Sequence, residues 1–127
     1  MKKALLLFLL TSTLAFGQNL RNTMRAINKS FRQVNTDVRR GNNGPKALEN
    51  IIKLKEATDE SKKYLPRGIS PSDSQAVERY ERLMTELSDK IAELEVIFTS
   101  SPLNKEEAQN CLKEINSIRK RGHSLFK

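Results

Sequence analysis

Residues 19–45 read NLRNTMRAINKSFRQVNTDVRRGNNGP. Within them Leu20, Met24, Ile27, Phe31, Val34 and Val38 recur at spacings of four, three, four, three and four. That alternation places all six on one stripe of an α-helix, the seam by which a helix packs in a bundle. The pattern stops at GNNGP, residues 41–45, where two glycines and a proline break it. Pro45 suits the first position of a following helix, where its missing N–H is not needed.

Three more segments follow the same logic. The second runs from Pro45 to Leu65 with a looser stripe of Leu48, Ile51, Ile52, Leu54, Ala57 and Leu65, and PRGISPS (66–72) ends it. Ser72 stands three residues before Gln75, a capping-box spacing. The third helix carries Tyr80, Met84, Leu87, Ile91, Leu94 and Phe98, and TSSPLN (99–104) closes it. Asn104 with Glu107 makes a further N-cap arrangement. The fourth helix has Ala108, Cys111, Ile115, Ile118, Gly122 and Leu125 on its stripe. Arg119, Lys120 and Arg121 fall near its end, where positive charge suits the helix dipole. No strand alternation competes. Short connections make successive helices antiparallel, so the expected fold is all-α, an antiparallel up-down-up-down four-helix bundle.

The opening residues are read differently. MKKALLLFLLTSTLAFGQ has a basic start, a short apolar run and small residues at Ala15 and Gly17. This is the layout of a cleavable signal peptide over 1–17, leaving a bundle domain over 18–127. The mature chain is therefore expected to be exported and soluble. One cysteine, Cys111, forms no internal disulfide and no cysteine-rich metal site. On the core stripe it reads as a small apolar residue.

The chain has a formal net charge of +8. An anionic surface or an acidic protein partner fits this charge. Nucleic acid fits poorly, because no basic run carries interleaved aromatics and tryptophan is absent. Nothing marks an enzyme: there is no phosphate loop, no nucleophile with a base, and no metal-ligand cluster. Adjacent Glu106 and Glu107 point in different directions on a helix.

His123 is the only histidine. Alone it reads as a surface or helix-capping residue. In the bundle, however, the first and fourth helices are antiparallel neighbours. Met24 and His123 then both lie within roughly 10 Å of the same end. An imidazole and a thioether facing each other suit the two axial positions of a haem iron. Met84 lies roughly 18 Å along the third helix, too deep to pair with His123, so it reads as a packing residue. Arg119, one turn before His123, is either a solvated charge or a group balancing a haem propionate.

At these residues the chain resembles the soluble periplasmic cytochrome b562 family. The matching stretches are NLRNTMRAIN, with Met24, and EAQNCLKEINSIRKRGH, with Arg119 and His123. The resemblance implies one non-covalently bound b-type haem with Met24 and His123 as its axial ligands. It also implies Arg119 beside the haem and Tyr80 and Met84 packing on the porphyrin. With both axial positions filled, the iron is left to gain and lose single electrons, which implies redox partner proteins and a monomeric carrier. No CxxCH occurs, so covalent attachment is not expected. Three features depart from the pattern: Gly122 beside the histidine, tyrosine in place of phenylalanine at position 80, and a positive charge that points to an acidic partner or surface. The competing expectation is a cofactor-free exported bundle that binds an acidic protein or a membrane surface in a chaperone-like or regulatory role.

Overall fold

The computed structural model describes residues 2–125, with side chains described from Leu20 to Leu125. The signal-peptide reading of residues 1–17 concerns side chains outside that description. Four helices form: α1 (Lys2–Arg39), α2 (Pro45–Ser61), α3 (Ser74–Phe98) and α4 (Lys105–Leu125). No strand occurs among the described residues. Each helix packs on its neighbour in sequence, and α4 closes the ring on α1. The α1–α2 contact is the most extensive and the α1–α4 contact the sparsest. The up-down-up-down order brings two connections together: Asn43 Nδ2 donates to the Phe98 carbonyl at 3.2 Å and the Ser100 carbonyl at 2.7 Å. The α1–α2 and α3–α4 connections therefore share one end of the bundle.

The helix boundaries follow local chemistry. The first connection turns at Gly41, whose φ of 65° lies where only glycine is unstrained. Gly44 is the N-cap of α2 and Pro45 follows it. Asn104 Oδ1 accepts from the Glu107 N–H at 3.1 Å, as its spacing predicts. The cap of α3 differs from expectation. Asp73, not Ser72, accepts from the Ala76 N–H at 3.1 Å, while the Ser70 and Ser72 hydroxyls pair with each other at 2.8 Å. The carboxylate is the stronger acceptor.

The second helix also ends earlier than its pattern suggests, at Ser61 rather than Leu65. The chain tightens there through bonds from the Lys63 and Tyr64 N–H groups to carbonyls three residues back. Leu65 precedes Pro66, whose ring disfavours helical backbone before it. Ile52 is 44 % exposed, off the core stripe. Thr58 and Ser61 are fully buried instead. Their hydroxyls donate to the Leu54 and Thr58 carbonyls at 2.8 and 2.7 Å, so both polar atoms are satisfied inside. Leu125, placed on the stripe by its spacing, is 54 % exposed in the last turn of α4.

The remaining stripes are the core. Val34, Val38, Ile51, Leu54, Ile91, Leu94 and Ile115 are fully buried. Cys111 is buried among them, and its thiol donates to the Lys90 carbonyl at 3.3 Å. Burial, with Glu93 and Glu114 adding, pushes that thiol from 9.0 up to about 11. Burial likewise pushes the Tyr80 phenol from 10.0 up to about 12.

Both groups are neutral acids that the folded state holds protonated more tightly than the unfolded chain does. The stability they contribute is complete below about pH 9 and is lost as pH rises through about 11 and 12. Urea midpoints of the apo protein are therefore expected to fall between pH 9 and 12. A Cys111→Ala/Tyr80→Phe variant should show a flatter profile. At pH 8 the native thiol should also react with a disulfide reagent about a hundredfold more slowly than in the unfolded chain.

Candidate functional site

At the end of the bundle opposite the Asn43 clamp the helices part. Between α1, α3 and α4 lies a cleft of about 670 Å³. Its size is in the range of small-molecule and cofactor sites. Leu20, Met24, Ile27 and Asn28 line it from α1, Tyr80, Leu83, Met84 and Leu87 from α3, and Asn116, Ile118, Arg119, Lys120, Gly122, His123 and Ser124 from α4. The cleft opens between α1 and α4, the helix pair that touches least. Met24, on the core stripe of α1, lines it and is only half-buried.

The register of α1 against α4 is fixed by Arg119, which donates to Asn28 Oδ1. Met24 precedes Asn28 by four residues and His123 follows Arg119 by four. In antiparallel helices these equal steps run the same way along the axis. The thioether and the imidazole are therefore level, one turn outward from the Arg119–Asn28 bond. Both line the cleft. His123 is exposed at its mouth and contributes nothing to the core.

Arg119 is half-buried. Its guanidinium lies over the Phe31 ring, 4.3 Å from the centroid, and reaches Asn116 Oδ1 at 3.5 Å. Among the described residues it has no carboxylate partner. Desolvation alone lowers its pKa, so the charge is held without a counter-ion. An anion entering the cleft would meet it.

Tyr80 and Met84 are both buried in the wall contributed by α3. The Tyr80 hydroxyl donates to the Ser61 carbonyl at 2.9 Å. Its polar end is thus turned to α2, and the ring remains for the cleft. Met84 corrects the depth expected of it. Leu83 lies against Gly122, and Arg121 bonds Glu86 through both guanidinium nitrogens at 3.2 Å. These contacts put Met84 level with the last two turns of α4. The helix-depth argument failed because α3 extends past the end of α4. The cleft therefore holds two thioethers.

Gly122 finds its reason here. A Cβ on it would stand 2.6 Å from Leu83 Cδ2, closer than carbon atoms approach. Glycine lets α4 come down on Leu83 while that side chain stays in the wall. Gly122→Ala gains about 1 kcal/mol of helix propensity but forces Leu83 aside. We expect Gly122→Ala to weaken ligand uptake by the cleft about tenfold, and Gly122→Ala/Leu83→Ala to recover most of it in a double-mutant cycle of haemin titrations.

Asn28, Leu83 and Asn116 were not singled out in the sequence. Asn28 and Asn116 are polar residues beside apolar stripes and carry no periodic signal. Leu83 was signalled only indirectly, by a glycine inside a helix.

The donor set fits a haem: one imidazole and one thioether at a common level, apolar walls, and an uncompensated guanidinium. No described cluster of His, Cys, Asp and Glu could hold a bare metal ion. No curated protein and no solved structure matches the chain. The sequence profile of the family described as Cytochrome b562 matches residues 19–127, which is nearly the whole sequence and contains all four helices from Asn19 onward. The chain belongs to the cytochrome b562 family.

Proposed function

We propose that this protein is a periplasmic electron carrier that holds one non-covalent b-type haem through Met24 and His123. The observation that carries the reading is the shared level of these two side chains in one cleft, set by the Arg119–Asn28 bond. When bound, the haem supplies a one-electron couple. Everything else falls to the chain.

His123 offers its imidazole from the last turn of α4, and Met24 offers a soft sulfur that favours the ferrous state. Tyr80, Leu83 and Met84 form the apolar wall on α3 and exclude water from it. Arg119, braced by Phe31 and Asn28, receives a carboxylate and gains the counter-ion it lacks. The family match begins one residue after the start of the proposed mature chain, which supports assigning residues 1–17 to export. No described helix is long and apolar enough to cross a membrane.

Two protein ligands leave no open position. The dithionite-reduced, haem-loaded protein is therefore expected to resist carbon monoxide over minutes. Complete binding within seconds would mean that Met24 does not hold the sixth position.

A further inference from the structure

All fifteen acidic residues lie between Asp37 and Glu114. That middle portion also carries thirteen Lys and Arg, so it is close to neutral. The two end stretches, 1–36 and 115–127, carry ten Lys and Arg and no acid. The whole positive balance of the protein thus belongs to the two helix segments that flank the cleft, together with the leader.

The geometry sharpens this asymmetry. Arg21, Arg25, Lys29 and Arg32 are exposed on α1. At 3.6 residues per turn, Arg21, Arg25 and Arg32 fall within roughly 60° of Asn28, the residue that bonds Arg119 across the cleft. Lys120 stands on the opposite lip. Among the described residues none of these five has an acidic partner, whereas Lys53 and Lys55 of α2 and Lys62 and Lys63 just after it pair with Glu49, Glu95, Asp59 and Glu60. Unpaired like charges around one opening sum to a field that is felt beyond contact distance.

We propose that this basic rim is the docking surface for a redox partner that presents a cluster of carboxylates around its own electron-transfer centre. The inference rests on the proposed electron-carrier role, because an electron must leave or enter where the cleft opens. A lipid surface fits less well. Binding in a bilayer interface needs an apolar face beside the charges, and the only exposed large apolar residue described at this end is Leu125.

The test compares the wild-type mature chain with two charge variants. The rim variant is Arg21→Gln/Arg25→Gln/Lys29→Gln/Arg32→Gln. The control, toward the clamp end of the bundle, is Arg40→Gln/Lys46→Gln/Lys53→Gln/Lys105→Gln, all exposed. The reduced, haem-loaded proteins give one electron each to ferricyanide, an anion, or to tris(phenanthroline)cobalt(III), a cation. At about 10 mM salt the rim variant should react with ferricyanide about tenfold more slowly than wild type and faster with the cobalt complex. Both differences should vanish at high salt, and the control should behave as wild type.

Poly-L-glutamate should bind the apo wild type and the apo control variant, but bind the apo rim variant at least tenfold more weakly. Equal losses in the two variants would overturn the proposal. So would apo protein that binds phosphatidylglycerol vesicles or duplex DNA more tightly than polyglutamate. A chain that takes up no haem would defeat the proposed function alone, and the polyglutamate comparison would still decide whether the rim recognises acidic chains.

Discussion

Met24→Leu and His123→Ala are each expected to abolish the low-spin spectrum of the loaded protein and weaken haem uptake by about a hundredfold, or ~2.7 kcal/mol. Neither change should unfold the apo bundle. His123 is exposed on the last turn of α4 and packs on nothing that holds the fold. Met24 is half-buried, and leucine keeps its volume, so the packing cost stays below about 1.5 kcal/mol. On the proposed ligation each variant loses a bond to iron, and the spectrum reads that bond directly.

Met84→Leu is the matched control. It removes the other thioether lining the same cleft, at a site that is 3 % exposed, and should leave the low-spin bands in place. The contrast assigns the sulfur. A low-spin spectrum lost in Met84→Leu and kept in Met24→Leu would move the ligand from α1 to α3.

The second large effect concerns the core. Leu94 is fully buried on α3 and does not line the cleft. Leu94→Ala should cost about 2–5 kcal/mol, the transfer term plus the cavity left behind. The single free cysteine means that no internal disulfide offsets the loss. Domains of this size hold ~5–15 kcal/mol in all, so the apo variant should show a urea midpoint well below wild type.

Haem should restore much of the difference. A ligand that binds only the folded state adds about 2.7 kcal/mol when free at a hundred times its dissociation constant. The loaded variant should therefore melt close to the apo wild type. If haemin shifts the midpoints of Leu94→Ala and His123→Ala equally, the stabilisation does not come from the ligated site.

Much of the bundle was legible because its signals are redundant. The four-three spacing on α1 and α3 selects helix, the Gly41–Pro45 run breaks it, and Asn104 caps where its spacing says it should. Periodicity is a loose guide to burial: it could not tell that Ile52 turns away from the core or that Leu125 is left uncovered in the last turn of α4. It also scores Thr58 and Ser61 as polar, although their hydroxyls are satisfied by the helix's own carbonyls and pack inside.

The site was legible to the extent that it depends on the ends of the chain. Met24 and His123 could be paired by counting residues, because short connections fix which ends meet. The length of α3 relative to α4 could not be counted in that way, so Met84 was misplaced. Gly122 looked like a defect until the side chain opposite it was known. A helical glycine reports that something comes close, and only the structure identifies it as Leu83.

The central claim is that one cleft, with one imidazole and one thioether at the same level, holds one haem. Titration of the mature chain with haemin, followed in the visible spectrum, tests it most directly. The account predicts saturation at one haem per chain, with sharp low-spin bands in the reduced form. A titration with no break at one equivalent, or a saturated complex that stays high-spin in both oxidation states, would contradict it.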